Sequence, residues 1–200
     1  MKRLITIATT SLLLIGGLVG CAADYRAPAQ TDSRWVALFN GVHANDWTPL
    51  GNANWRIQEG SLQGDVGAGF LVSKKSYKDF ELRAEFWSDE EANSGIFIRC
   101  ADPLKVTADN AYEVNIFDKR PDPSYGTGAI VNVAKIGTMI KAAGKWNVLE
   151  ISAKGPVMSV KLNGVVTVDG VRDARLASGP IALQSAGGTI KFRKVEILPL

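Results

Sequence analysis

From Trp35 onward, apolar and polar residues alternate with a period of two through most of the chain. This is the spacing of strands, whose successive side chains point to opposite faces. Helical periodicity is scarce. Short alternating runs are separated by Gly, Asn, Asp and Pro, an all-β pattern. The runs predict strands at Trp35–Phe39, Trp55–Gln58, Ser61–Gln63, Gly69–Ser73, Phe80–Trp87, Gly95–Cys100, Tyr112–Phe117 and Ala129–Val133. Further strands are predicted at Trp146–Ala153, Val157–Leu162, Val165–Val168, Ile181–Gln184 and Thr189–Ile197. Asn163-Gly164 predicts a two-residue hairpin turn, which needs positive φ at both positions. Glu59-Gly60 and Gly187-Gly188 mark two more turns. The last strand switches parity between Phe192 and Val195, which predicts a bulge near Arg193-Lys194. About a dozen short antiparallel strands predict two packed sheets, a sandwich or jelly roll.

Two runs carry the chemistry, Asn93–Arg99 and Tyr112–Asp118. By parity, Ile96, Ile98 and Cys100 share one face of the first, and Gly95, Phe97 and Arg99 share the other. In the second, Val114 and Ile116 face one way and Glu113, Asn115 and Phe117 face the other. One surface is therefore apolar, and its opposite holds an arginine, a glutamate, an amide and two phenylalanines. An ordinary solvent face rarely mixes aromatics with these polar groups, whereas a sugar-binding face does. The irregular stretches Ala101–Ala111 and Lys119–Thr127 flank these strands, and loops at a sheet rim are where binding groups collect.

Residues 1–20 read as a targeting segment. Lys2 and Arg3 precede the apolar run Leu4–Val19, which is too short and weakly flanked for a transmembrane helix. Leu18-Val19-Gly20-Cys21 matches the bacterial lipobox, in which the Cys21 thiol takes a lipid. Ala22 after the cysteine favours the outer membrane, facing the periplasm. Residues 21–33 are small, polar and Pro-containing, a flexible lipidated tether, and residues 34–200 form the folded domain. Without Lys2 and Arg3, the 23 basic residues fall to 21 against 20 acidic ones. That balance, with no basic block, excludes nucleic acid as a partner. Cys100 would remain the sole free thiol, so packing alone must stabilise the domain. Its parity places it on the apolar face as an inert thiol.

The ordered landmarks resemble a known family. They are Leu38-Phe39-Asn40-Gly41, Trp47, Trp55 with Glu59-Gly60-Ser61-Leu62, and Tyr77-Lys78-Asp79-Phe80-Glu81-Leu82. Then follow Asn93-Ser94-Gly95-Ile96 with Arg99, Tyr112-Glu113-Val114, Asp118, Thr127-Gly128-Ala129-Ile130, Gly144-Lys145-Trp146-Asn147, Leu162-Asn163-Gly164, Gly179 through Gln184, and Phe192-Arg193. Together they resemble the 3-keto-disaccharide hydrolase domain family over everything from Trp35 on. The resemblance implies a concanavalin A-like jelly roll with a concave binding sheet. It also implies cleavage of glycosides whose sugar is oxidised to a ketone at C3. Two positions depart from the family's frequent residues: Asn115 stands where Gln is common, and Val131 where Tyr is common.

A C3 ketone acidifies the C2 proton, and the aglycone on C1 then leaves from the resulting enolate. Such chemistry asks for one carboxylate base, one positive group and a sugar cradle. Glu113 is the candidate base and Arg99 the candidate stabiliser. Asn115, Phe97, Phe117, Asp118, Gln184 and Arg193 are candidate substrate contacts. Each also has a structural reading. Glu113 and Arg99 fit a cross-strand ion pair, Asp118 fits a turn-starting residue, and Gln184 and Arg193 fit framework roles. The tryptophans border strands and read as packing residues. The resemblance hints that some members use a divalent cation; oxygen ligands would suit Ca²⁺ or Mg²⁺, but no motif marks a site. Three other readings compete with the lyase-like enzyme. A conventional glycosidase needs two carboxyls across one bond, and the strand run that supplies them in jelly-roll glucanases is missing here. A non-catalytic, lectin-like lipoprotein would keep the amides and aromatics without a base. An envelope scaffold would need no sugar at all.

Overall fold

The computed structural model describes residues 34–200; the signal segment, Cys21 and the tether lie outside them. Among the described residues, thirteen strands form two antiparallel sheets. In chain order the strands are β1 (Val36–Phe39), β2 (Trp47–Gly51), β3 (Arg56–Gln58), β4 (Ser61–Gly64), β5 (Gly69–Tyr77), β6 (Phe80–Ser88) and β7 (Ser94–Ile98). The remainder are β8 (Tyr112–Ile116), β9 (Trp146–Lys154), β10 (Val157–Leu162), β11 (Val165–Arg172), β12 (Gly179–Ser185) and β13 (Ile190–Pro199). The larger sheet runs β11-β10-β9-β6-β13-β4-β3, with β1 added on β13; the smaller runs β2-β5-β12-β7-β8. The fold is the jelly-roll sandwich that the alternation predicts.

The core lies between the sheets. Leu82, Phe86, Leu149, Ile151, Val160 and Phe192 from the larger sheet meet Leu71, Ile96, Ile98, Val114, Ile116 and Leu183 from the smaller. Burial alternates residue by residue along β6 and β9, because one face of the larger sheet is dry and the other wet. Asn163 and Gly164 both have positive φ, 52° and 79°, and close the β10–β11 hairpin at Leu162↔Val165. The predicted bulge in β13 is present between Phe192 and Lys194.

Besides the early end of β7 at Ile98, the structure departs from the predicted strands in two places. Trp47-Thr48-Pro49-Leu50-Gly51 forms a strand that alternation does not predict. Its Pro49 is tolerated because β2 is an edge strand, paired only to β5. Ala129–Val133 is not a full strand. Ile130 bridges Val114 on one side and Ala134 on the other, so the segment folds back on itself beside β8.

Candidate functional site on the smaller sheet

The two chemistry-bearing runs are neighbours. β7 and β8 pair with Gly95 opposite Asn115 and Phe97 opposite Glu113. Register carries these rows across the sheet. One row is Thr48–Val72–Ala182–Phe97–Glu113. The next holds Leu50–Phe70–Gln184, and continuing the β12–β7 register by one residue sets Gln184 beside Gly95 and thus in line with Asn115. Directly opposed residues share a face, so these ten positions form the outer surface of the smaller sheet. Glu113 is their sole acidic residue.

That surface is not open. Residues 101–111 fold over it as a roof, and Val106 and Ala111 pack with Val72, Phe97, Cys100 and Ala182 in a second apolar cluster. Asn110 ties the roof to itself. Its carbonyl accepts from Ala101 N at 2.8 Å, its Oδ1 accepts from Thr107 N at 2.9 Å, and its Nδ2 donates to Lys105 O. A hollow of about 330 Å³ remains beside the roof, bounded by Leu50, Phe70, Leu104, Lys105, Val106 and Gln184.

Glu113 is 8 % exposed and has no hydrogen-bond or ion-pair partner among the described residues. Its carboxyl lies over Gly95. A Cβ on that glycine would stand 3.2 Å from Glu113 Cγ and 3.4 Å from Oε1, so the missing side chain makes room for the acid. Burial pushes the Glu113 pKa up from 4.5 to about 7, against the opposing pull of the Arg120 charge. Asn115 is fully buried. Its Nδ2 donates to Tyr125 O at 2.6 Å, while its Oδ1 has no partner. Gln184 Oε1 is likewise buried and unpartnered. Buried acceptors without donors are rare in folded proteins, and of the two, Gln184 borders the hollow. Glu113 leans toward Gly95, whose row in the sheet is the one that holds Gln184.

Other predicted contacts are placed elsewhere. β7 ends at Ile98, and Arg99 takes φ +54°, which breaks the alternation. Arg99 is 1 % exposed. Its Nε and Nη2 donate to Lys78 O, and its Nη1 donates to Gly155 O and Leu176 O. Nη2 also pairs with Asp79 Oδ1 at 3.2 Å. Every donor is committed to tying three loops together, so Arg99 is a structural clamp and not the stabilising cation. Cys100 is displaced by the same kink. It joins Phe97 in the outer cluster instead of the main core, and burial pushes its thiol up to about 12, which leaves it inert as expected.

Phe97 does lie on the Glu113 face, but it is 2 % exposed beneath the roof and meets Phe70 edge-on at 5.3 Å. It supports the floor and cannot stack on a sugar. Half-buried Phe117 follows the end of β8, and its N–H donates to Thr127 Oγ1. Asp118 accepts from Thr127 Oγ1 at 2.6 Å and from the Ala142 and Ala143 amides at 2.7 and 3.0 Å. Its carboxylate is spent on joining two loops. Arg193 belongs to the opposite side of the molecule. It stands at the β13 bulge, pairs with Glu85 Oε2 at 2.6 Å and lies 4.2 Å over the Trp146 ring. Trp146 itself is partly exposed and not a core residue. A cation finds no ready cradle: among the described residues no three His, Cys, Asp or Glu side chains converge. In the acidic run, Asp89 accepts from the Glu91 and Thr189 amides, while Glu90 and Glu91 pair with Lys119.

Three contributors escape the strand pattern. Arg120 looks like part of a turn. Leu50 sits in the unpredicted edge strand. The roof loop has no periodicity. One signal was present: Phe70-Leu71-Val72 and Ile96-Phe97-Ile98 are apolar at both parities, the mark of strands covered on both faces.

A two-sheet antiparallel jelly roll with a buried acid on its smaller sheet is a concanavalin A-like β-sandwich. The chain is a member of the 3-keto-alpha-glucoside-1,2-lyase-like domain family, whose model matches residues 34–198. A 3-keto-disaccharide hydrolase of Bacteroides thetaiotaomicron is 26 % identical over 165 residues, covering 66 % of this chain and 56 % of the relative. The chain therefore spans just over half the length of that protein. Two solved structures from Parabacteroides distasonis, both described as candidate glycosyl hydrolases, share the fold. One has a TM-score of 0.73 at 17 % identity, covering 86 % of this chain and 98 % of the other. The second has a TM-score of 0.64 at 27 % identity, covering 78 % and 100 %.

Proposed function

We propose that this domain cleaves 3-keto-glycosides by elimination and rehydration, with Glu113 as the base. The observation that carries the reading is one buried carboxyl, held near neutral pH over Gly95, with no second carboxyl among the outer-face positions. A two-carboxylate glycosidase needs a partner acid about 5–10 Å away, and none is offered there. A base with a pKa near the working pH removes a weakly acidic proton well.

In this mechanism Glu113 takes the C2 proton, and the C–H electrons move to the C3 carbonyl oxygen as an enolate. The enolate then re-forms the ketone and expels the C1 oxygen, which receives the proton that Glu113 acquired. Water adds across the C1–C2 double bond, its hydroxyl to C1 and its proton to C2. The net change is hydrolysis. Arg120, in place of Arg99, is the cation whose field reaches the carboxyl and is the available stabiliser for enolate charge. Gln184 Oε1, at the edge of the hollow, accepts a sugar hydroxyl, while fully buried Asn115 holds the Tyr125 loop beneath the site.

The test compares a 3-keto-glucoside with its unoxidised parent, using the full chain and Glu113→Gln. Aglycone release from the ketone alone, lost in the variant, is the expected result. Sugar binding without turnover would instead identify a lectin, and cleavage of the parent a conventional hydrolase. We also infer that the domain is held at the bacterial envelope, facing the periplasm, through lipid on Cys21 and the tether of residues 22–33. Labelled fatty acid should be incorporated into the native chain and not into Cys21→Ser.

A further inference from the structure

The hollow beside Gln184 differs in character from the polar positions next to it. Its walls are Leu50, Phe70, Leu104 and Val106, and the polar side chains that line it are Lys105 and Gln184. A sugar carries hydroxyls around its whole ring, and burying them against four apolar side chains would leave them without partners. Each such hydroxyl would give up its hydrogen bond to water without a replacement, which is unfavourable. A flat apolar ring carries no such penalty. At about 330 Å³ the hollow also falls within the size range of small-molecule sites.

Leu104 is the second observation. It stands at the tip of the roof, 80 % exposed, and its N–H donates to Asp102 Oδ1 at 2.9 Å. The Asn110 hydrogen bonds brace the loop behind it. A large apolar side chain held out on a braced loop above an apolar hollow is poised to cover something apolar. The hollow runs to Gln184, next in register to Gly95, over which the Glu113 carboxyl lies. The hollow and the Glu113 carboxyl therefore lie in neighbouring rows of one sheet face, close enough for two parts of one small substrate.

We propose that this hollow receives an aromatic aglycone, so that the preferred substrates are 3-keto-glycosides of phenolic compounds and not of a second sugar. The inference rests on the elimination reading above. The leaving oxygen is then a phenol oxygen, which departs as phenolate or, after taking the proton from Glu113, as phenol.

Two 3-keto-glucosides of the same anomeric configuration, one carrying 2-naphthol and one carrying glucose, provide the test on the full chain and on Leu104→Ser. An aryl leaving group departs more readily in any enzyme, so the informative quantity is the change in preference between the two proteins. The expected result is a fall of at least about fivefold in the naphthyl-to-glucosyl ratio of kcat/KM in Leu104→Ser, carried by KM. An unchanged ratio overturns the proposal. Free 2-naphthol separates this outcome from a failure of the lyase reading. Its saturable binding should be followed by fluorescence and be weakened several-fold in Leu104→Ser. Binding of 2-naphthol with turnover of neither substrate removes the elimination chemistry and leaves the aromatic site standing. Absence of binding removes the site.

Discussion

Replacing Glu113 by glutamine should stabilise the domain at neutral and alkaline pH, by an amount that the burial of the carboxyl sets. The folded-state value is raised from 4.5 to about 7. Below pH 4.5 the acid is neutral in both folded and unfolded chains, and it costs nothing. Between 4.5 and about 7 the unfolded chain releases its proton while the folded chain keeps it, so stability falls as pH rises. Above about 7 the loss is complete and amounts to about 3 kcal/mol, at 1.36 kcal/mol for each pH unit separating the two values. Glutamine has the same shape and no charge, so it escapes this loss. Urea unfolding of both proteins at intervals from about pH 4 to about pH 8 isolates the effect, because other titrating groups cancel in the difference. The variant should gain on the native protein by about 3 kcal/mol across that range. A flat difference would mean that Glu113 is solvated. A variant that loses ground as pH rises would mean that Glu113 is ion-paired with its value lowered. Either result refutes the buried, unpartnered acid, and with it the argument for a base near neutrality.

Activity should depend on pH through the same group. On a 3-keto-glucoside, kcat/KM should rise to a plateau with an apparent pKa of about 7, and Arg120→Ala should move that rise to higher pH, because the arginine charge lowers the Glu113 value. Gly95→Ala should cut kcat/KM about tenfold or more with the far-UV circular dichroism spectrum unchanged. Its methyl would meet Glu113 Cγ and Val114 O, each at 3.2 Å, and a small displacement of a reacting group is costly. Arg99→Leu should lower stability by about 3 kcal/mol in denaturant unfolding, since it takes the donor from the Lys78, Gly155 and Leu176 carbonyls while Asp79 keeps the Gly155 amide. An Arg99 variant of native stability but lost turnover would return that residue to the site.

The fold was legible because alternation is a backbone property. Facing pairs such as Phe97 and Glu113 follow from parity once two runs are adjacent. Parity fails where the backbone leaves the strand, and the positive φ of Arg99 is such a place. One left-handed residue turns its guanidinium into a carbonyl cage and sends Cys100 to the opposite surface. Arginine has no special propensity for that conformation, so no residue type announces it. Asp118 and Arg193 fail for a second reason. Both are polar residues at strand ends or bulges, where the partner is chosen by loops distant in sequence: Ala142 and Ala143 for one, Glu85 and Trp146 for the other. The roof was hidden for a third reason. Residues 101–111 have no period to read, and their apolar contacts were visible only indirectly, in strands apolar on both faces.

The two outer surfaces of the sandwich make the strongest internal comparison. On the larger sheet, acids facing solvent are answered by cations: Glu196 and Glu150 by Arg83, Glu81 by Lys154, Glu85 by Arg193. Exposed pairs of this kind contribute little, about 0–1 kcal/mol each, but they show how this chain treats a carboxylate that only needs to be soluble. Glu113 lies at an equivalent position on the smaller sheet and receives the opposite treatment. It is buried, unpaired, set over a glycine and flanked by amide oxygens without donors. Its cost of about 3 kcal/mol is a large part of the roughly 5–15 kcal/mol that holds a domain folded. A leucine at that position would remove the cost, and an exposed lysine nearby would offset it. A fold that pairs its acids on one face and leaves one buried without a partner on the other is what the proposed base requires, and Leu104, Lys105 and Val106 of the roof that covers Phe97 also line the neighbouring hollow.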